Sequence, residues 1–372
     1  MPRQTRIEFP GAFYHCSARG FGGRAIVMDD HDRDGHESLV AEVVQRTGWE
    51  IFAWALLEDH YHLVMRTPEA NLVGGMKWFQ NFWTKRFNAK HERSGSVFGG
   101  RYKSVLVQGD GHLSSLIDHV HLNAFRVGLV TTAQLASHPW SSLKDYLLPP
   151  SSRRSWVRAS EGLRHMGYDG EDCDDRLRYL EHLEHIAVRL GGRVPLPGGG
   201  RTLHSTLRRG WYLGADSFRS ELIAVREQGG ASADSRGRTH GAEMAQRILT
   251  AGLSAGGLAY ESLENLRKSD WRKRAIGRAI RLRTTVPTEW IASNLRMGVS
   301  SRVALMVARD PEPSWGKSWR PAKEFLDRLL EVARQMENSP RPEPLREDED
   351  AEDVYCPHHG AEGRRCECNC SL

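Results

Sequence analysis

The sequence predicts an α+β fold for its N-terminal part, an antiparallel sheet with helices packed on it, followed by a mostly α-helical C-terminal region. Three observations predict this. Segments rich in β-forming residues alternate with segments of helical periodicity through about residue 127. Two of the β-rich runs have Glu58-Asp59 between them as the turn of an antiparallel hairpin. Beyond Leu148-Pro149-Pro150-Ser151-Ser152, which breaks any regular element, the apolar pattern is helical.

The elements follow in order. Ala12 to Ala18 reads as a strand, and the glycines of Arg19-Gly20-Phe21-Gly22-Gly23 permit a tight turn after it. From Asp32 to Thr47 the apolar positions Leu39, Val40, Val43 and Val44 recur at helical spacing, with Gly48 as a natural stop. Trp49 to Leu57 and Tyr61 to Arg66 form the hairpin. Asn71 to His91 is a second helix whose Trp78, Phe82, Trp83 and Phe87 suit core packing, with Lys77, Lys85, Arg86 and Lys90 toward solvent or phosphate. A glycine-rich loop over Gly95 to Tyr102 leads into the strand Lys103 to Gln108, and His112 to Val127 completes a β-α-β-β-α-β-α order. The expected division is a first domain over 1–146, a helical extension over 153–235, a second helical domain over 240–336 and a disordered acidic, Cys/His-rich tail over 337–372.

Composition narrows the classes of function. Charged residues are 27% of the chain and no apolar run approaches the roughly 20 residues of a membrane helix, so no span and a cytoplasmic location are expected. The formal charge of +5 conceals a basic body: Glu343 to Asp353 holds seven acids and one arginine, which leaves +11 elsewhere. That asymmetry suits a polyanionic partner, although a solvated surface gives the same count. Four of the six cysteines crowd the last residues, which is no disulfide framework.

The strongest chemical signal is His60-Tyr61-His62 at the start of a strand. Residues two apart in a strand share a face, so both imidazoles can reach one metal ion while Tyr61 points away. Two structural histidines would give the same pattern. On the third helix, His119 and Asn123 lie one turn apart, able to bring a reacting group and an oxygen ligand to the same ion. A water-facing polar stripe is the alternative.

An ordered set of motifs then decides. Arg6-Ile7-Glu8-Phe9-Pro10-Gly11-Ala12-Phe13-Tyr14-His15, His60-Tyr61-His62, Gly100-Arg101-Tyr102-Lys103-Ser104, Val120-His121-Leu122-Asn123 and Pro139-Trp140-Ser141-Ser142 together resemble the REP-associated tyrosine transposases of the HUH single-tyrosine class over roughly the first 146 residues. The resemblance implies a ferredoxin-like domain in which two histidines and a polar residue, here His60, His62 and Asn123, hold Mg²⁺ or Mn²⁺. It also implies a helix-borne tyrosine that nicks single-stranded or hairpin DNA and transfers the strand through a 5′-phosphotyrosine. This chain departs from the family twice. His119 stands where the nucleophilic tyrosine is expected, and Asp59 replaces the usual asparagine beside the histidine pair. His119 is then a substitute catalytic nucleophile, an added metal ligand together with or in place of His121, or the mark of a domain that binds DNA without cutting it. Neither Tyr61, which points away, nor Tyr102, in a loop, is expected to replace the missing phenol. Lys77, Lys85, Arg86, Arg101 and Lys103 are candidates for a single-strand groove.

Further along, eight of the residues from Arg267 to Arg283 are basic and one is acidic, on a segment with an apolar helical face. Pro287 to Val303 then reads as helix, glycine turn and helix, the helix-turn-helix plan, in which Ser300, Ser301 and Arg302 open the recognition helix and Arg274 and Arg278 lie behind it as further DNA contacts. This part resembles the replication-initiator-like domain appended to some long members of the same family, and implies contact with duplex DNA; a plain helical bundle is the alternative. In the tail, Cys356, His358, Cys366, Cys368 and Cys370 are ligand types suited to zinc, but their spacing fits a redox-sensitive tail equally well. Three classes of function remain: a metal-dependent transposase, a DNA-binding protein derived from one, and a metal-independent RNA- or protein-interaction module. The oligomeric state is not legible.

Overall fold

A computed structural model describes residues 6–109, 111–170, 172–196, 203–226 and 236–338. The first unit runs β1 (Ala12–Arg19), α1 (Asp30–Thr47), β2 (Glu50–Leu56), β3 (His60–Thr67), α2 (Leu72–Lys90), β4 (Lys103–Val107), α3 (His112–His121), α4 (Asn123–Arg126) and α5 (Leu143–Leu147). Then follow α6 (Ala159–His165), α7 (Cys173–Leu190), α8 (Leu203–Arg209), β5 (Tyr212–Leu213) and α9 (Asp216–Val225). The C-terminal helices are α10 (Arg236–Ala255), α11 (Trp271–Arg283), α12 (Thr288–Asn294), α13 (Ser300–Met306) and α14 (Trp319–Asn338).

The expected α+β class is present. The sheet order is β2-β3-β1-β4-β5, with β1 to β4 all antiparallel to their neighbours, the ferredoxin-like arrangement. β5 alone is parallel, beside β4, so the sheet is mixed. Alternation assigns its two faces. Tyr14, Cys16 and Tyr61 point to the layer of α1 and α2, where Tyr61 meets Phe79 edge-on at 5.5 Å and His36 at 5.3 Å. His15, Ser17, His60, His62 and Lys103 point to the other face, because His62 lies opposite Ser17 and Ser17 opposite Lys103 in register. That second face is covered by α3 and by the helices that follow it.

Local chemistry sets the boundaries. α1 begins at Asp30, one half-turn earlier than the apolar pattern suggests, because the Asp29 side chain caps it by accepting from the Asp32 backbone N–H at 2.8 Å. It ends at Gly48 in the left-handed conformation (φ 70°), where the missing Cβ carries no strain. The third helix, expected to run unbroken from His112 to Val127, is interrupted at Leu122 (φ −82°, ψ 2°). Just before the break, both ring nitrogens of His121 are bonded outside the helix, to Tyr179 Oη at 2.7 Å and Ser142 Oγ at 2.8 Å, which anchors that end to α7 and the sheet.

The segment after Pro150 shares the first core. Tyr179, Leu183, Leu203, Leu213 and Leu222 belong to the same buried cluster as the sheet, so 153–225 clamps the first unit and lends it a strand as well as helices. A second cluster, from Met244 to Ala333, belongs to α10 through α14. The fully buried Lys273 side chain joins that cluster by donating to the carbonyls of Leu263 (2.6 Å), Arg296 (3.3 Å) and Leu266 (3.4 Å). The two units meet where Arg46 on α1 stacks on Trp78 and donates to the Thr284 carbonyl at 3.2 Å. Among the described residues no helix is long and apolar enough to cross a membrane.

Candidate functional site

Four imidazoles converge on one face of the sheet. The ring of His62 stacks on His15 (centroids 5.0 Å apart, 21° between planes), meets His60 edge-on at 5.1 Å and faces His119 of α3 at 6.2 Å. The strand period explains three of them: His60 and His62 are two apart on β3, and His15 lies on the neighbouring strand β1. His119 arrives from α3, whose Leu116, Ile117 and Val120 are fully buried and seat it in the core.

Hydrogen bonding distinguishes the histidines. His60 Nδ1 lies 2.5 Å from Asp59 Oδ1, and Asp59 also accepts from Arg19 Nε at 2.8 Å. Burial would raise the Asp59 carboxyl, but its hydrogen bonds from His60 and Arg19 outweigh that and hold it below the ordinary range. It is therefore a carboxylate, so His60 Nδ1 carries a proton toward it, which leaves Nε2 as the nitrogen that could meet a cation. This carboxylate-to-histidine support is what a metal-ligating imidazole requires. Asp59, a departure from the family pattern, thus orients the His60 ring.

His62 is differently held. Its Nδ1 is 2.8 Å from His15 Nε2, and both rings are neutral, with His15 pushed down to about 3 and His62 well below its ordinary value, in each case chiefly by burial. One proton is shared between the two nitrogens in contact. His15 Nδ1 is buried without a partner among the described residues. A proton there would be an unsatisfied donor, so His15 is protonated on Nε2 and donates to His62 Nδ1. His62 then carries its own proton on Nε2, the nitrogen that would face a metal. His60 fits a cation as it stands, whereas His62 fits one only after a tautomer change that moves the His15 proton to the unpartnered Nδ1.

The third expected ligand, Asn123, is 2% exposed at the start of α4, and its side-chain nitrogen has no partner among the described residues. No group of three His, Cys, Asp or Glu side chains forms a cation cage among those residues. His121, the alternative ligand, is excluded because both its nitrogens are occupied.

His119, 3% exposed, lies against the Arg126 guanidinium, with Nη1 2.6 Å from Nδ1 and Nη2 3.1 Å from Nε2, and Nη1 also donates to the His119 carbonyl at 2.9 Å. A guanidinium only donates and a neutral imidazole has a single ring-nitrogen lone pair, so whichever nitrogen carries that lone pair has an Arg126 N–H against it. Burial first, then the nearby positive charge of Arg126, keep the ring neutral. Burial also lowers Arg126 itself, to about 10. The other tyrosines near the sheet offer no substitute. Tyr61 packs on the opposite face, and Tyr102 is 4% exposed beneath Arg6, whose guanidinium lies 3.8 Å from the ring centroid.

The basic candidates do not form one groove. Lys103 is half-buried on the histidine face, close enough to oppose protonation of His15. Arg101 is exposed just before it. Lys77, Lys85 and Arg86 are exposed on α2, which packs on the opposite face of the sheet. In the C-terminal unit, Ser300, Ser301 and Arg302 open α13 as expected, with Ser301 and Arg302 exposed. Arg274 and Arg278 are engaged within the fold: Arg274 lies 3.3 Å from the Trp315 ring centroid, and Arg278 binds Asp310 at 2.7 Å and the Ala308 carbonyl at 2.8 Å. Cys356, His358, Cys366, Cys368 and Cys370 lie outside the described residues.

His15 and Arg126 are the site residues that motif reading missed. The i, i+7 spacing on the third helix is the signal that would have found Arg126, whereas His15 joins the site only through the pairing of β1 with β3.

A solved structure of a REP-associated tyrosine transposase bound to a REP hairpin is similar to this chain at 17% identity and a TM-score of 0.34, over 39% of this chain and 85% of that one. No curated protein matches. Residues 21–123 match the family described as Transposase IS200 like. That stretch runs from the glycine turn after β1 through Asn123, and it is similar to the IS200-like transposases, the relationship to which the ordered motifs pointed.

Proposed function

We propose that this chain is a DNA-binding protein of transposase type that takes single-stranded or hairpin DNA on the histidine face of its sheet and does not cut it through a protein–DNA covalent intermediate. The observation that carries this reading is the environment of His119. At the position of the family nucleophile stands a buried neutral imidazole whose two ring nitrogens both lie against the Arg126 guanidinium, so that its one lone pair accepts from Arg126. A nucleophile needs a free lone pair aimed at phosphorus.

His60 and His62, with Asn123 as the oxygen donor, are the residues that would hold Mg²⁺ or Mn²⁺. Such an ion would bind a phosphate oxygen and neutralise its charge. Lys103 and Arg101 sit at the end of β4 to receive neighbouring phosphates, while Asp59 keeps the His60 lone pair pointed outward. The C-terminal unit adds a duplex contact through α12 and α13, joined by a turn that has Arg296 at φ 49° and Gly298 at φ 89°.

The test uses the full chain with labelled single-stranded hairpin DNA and Mn²⁺. The parent binds and leaves no covalent adduct. A chain carrying His119→Tyr, which restores a phenol beside Arg126, forms one. An adduct from the parent, stable to denaturant and abolished by His119→Ala, would overturn the reading. Binding equally strong after His60→Ala and His62→Ala, with or without chelator, would remove the cation from it.

A further inference from the structure

We infer that α13 reads a three-base-pair core in the major groove, a G·C pair with an A·T pair on each side. This rests on the proposal that the C-terminal unit binds duplex DNA. The outward stripe of the helix carries this. Val299, immediately before it, is 68% exposed; Arg302, its third residue, is exposed; and Leu305, its sixth, is 78% exposed. The residue before the helix, the third and the sixth are the positions from which zinc-finger helices contact three successive bases. Seven helical residues span about 10 Å, as do three base pairs of B-DNA.

The chemistry of the stripe selects the bases. The thymine C5-methyl is the one apolar group displayed on the major-groove edges, and aliphatic side chains read it. Arg302 has no acidic partner among the described residues, which leaves its fork available for the O6 and N7 acceptors of guanine. Exposed aliphatics can also mark a protein interface, but such interfaces bury about 800 Å² per partner around an apolar centre. Two aliphatics on either side of a guanidinium do not supply that. The surroundings suit phosphate instead. Lys268 runs alongside Gly298 and Arg267 is exposed beside it in sequence, while the exposed Arg296 and Arg309 pair with Glu264 and Glu312 at 3.6 and 4.0 Å.

The helix is also braced for reading. Arg278 donates to the Ala308 carbonyl just past the end of α13, and a Cβ on Gly277 would lie 2.8 Å from Val307, so α11 and the end of α13 are in close contact. A rigidly held helix loses little freedom on docking.

The test is selection of randomised duplexes by the full chain, followed by affinities for the selected duplex with each core thymine replaced by deoxyuridine. The expected core is G·C between two A·T pairs, and each lost methyl weakens binding by about fourfold. Leu305→Ala removes sensitivity to the methyl at one flank and Val299→Ala at the other. Arg302→Ala lowers the preference for guanine about tenfold or more. Equal affinity for thymine and uracil duplexes, or the same selected core from Arg302→Ala and Leu305→Ala chains, overturns the inference. Loss of a concentration-dependent dimer in Leu305→Arg would assign the stripe to a protein contact and also overturn it. Duplex binding without base preference removes the core alone, whereas hairpin binding with no duplex binding removes the duplex arm of the proposed function as well.

Discussion

If the proton shared by His15 and His62 opposes metal loading, a residue at position 15 that only accepts should strengthen it. In the resting protein His15 Nε2–H donates to His62 Nδ1, and their separation of 2.8 Å leaves no room for another partner between them. For His62 to offer Nε2 to a cation, its proton must move to Nδ1 and that of His15 to its own Nδ1, which is buried and has no partner among the described residues. An unsatisfied buried donor costs about 1–3 kcal/mol, or about 5- to 150-fold in cation affinity. His15→Glu places a carboxylate against His62 Nδ1, holds the proton there and removes that cost, so Mg²⁺ and Mn²⁺ should bind at least about fivefold more tightly. Calorimetric titration gives the affinity, and ¹⁵N shifts of the imidazoles give the tautomer. The parent should show His62 protonated on Nε2 without metal and on Nδ1 with it. Affinity that is unchanged or weaker in His15→Glu, or a parent His62 already protonated on Nδ1 before metal is added, refutes the reasoning.

The remaining predictions concern stability. His36 is fully buried among Tyr61, Phe79 and Trp83 with neither ring nitrogen partnered among the described residues, and burial pushes it from 6.5 to about 3. A depressed histidine favours folding fully above pH 6.5 and loses that contribution as the pH falls toward 3, up to about 5 kcal/mol. In urea titrations across this range His36→Leu should therefore show a shallower acid slope, and an unchanged slope refutes the assignment. Lys273→Met leaves three buried carbonyls short of a donor and should cost about 2–4 kcal/mol by urea denaturation; less than about 1 kcal/mol would mean that water replaces the ammonium. Tyr179→Phe removes the hydroxyl that links His121 to Asp118, at 2.7 and 3.1 Å, and should cost about 1–3 kcal/mol. Protection of the α3 amides from hydrogen exchange should fall with it, and unaltered protection would show that α7 does not anchor that helix.

What the sequence disclosed and what it withheld have physical causes. The sheet and the α1 and α2 layer were legible because Leu39, Val40 and Val43 repeat at helical spacing and the hairpin turn is only two residues long. The site was legible in part for the same reason: strand alternation alone places His60 and His62 together. His15 was hidden because it joins them through pairing of β1 with β3, a long-range register that no local pattern announces. The DNA groove was misassembled for a related reason. Lys77, Lys85 and Arg86 have the right charge but sit on a helix that covers the far face, and that assignment depends on the orientation of Tyr61 rather than on the residues around the lysines. β5 was illegible because two residues, Tyr212 and Leu213, carry no periodicity of their own and are strand only by pairing with Leu106 and Val107.

His119 and Arg126 are best understood as a pair. A tyrosine at position 119 would bring a hydroxyl able to accept from Arg126, and a phenol so held would have a stabilised phenolate, the reactive form of a nucleophile. With imidazole in that place the same guanidinium does the opposite. Its positive charge adds to burial in keeping the ring neutral, and its N–H occupies the lone pair that attack on phosphorus would require. One substitution therefore turns an activating contact into a blocking one without disturbing the fold. Restoration should accordingly be asymmetric. His119→Tyr alone should regain adduct formation with the arginine in place, because Arg126 then supports the phenolate, whereas Arg126→Gln alone frees an imidazole that is still buried and should form none. Equal adduct yields from the two single variants would show that the identity of residue 119 is not what separates binding from cutting.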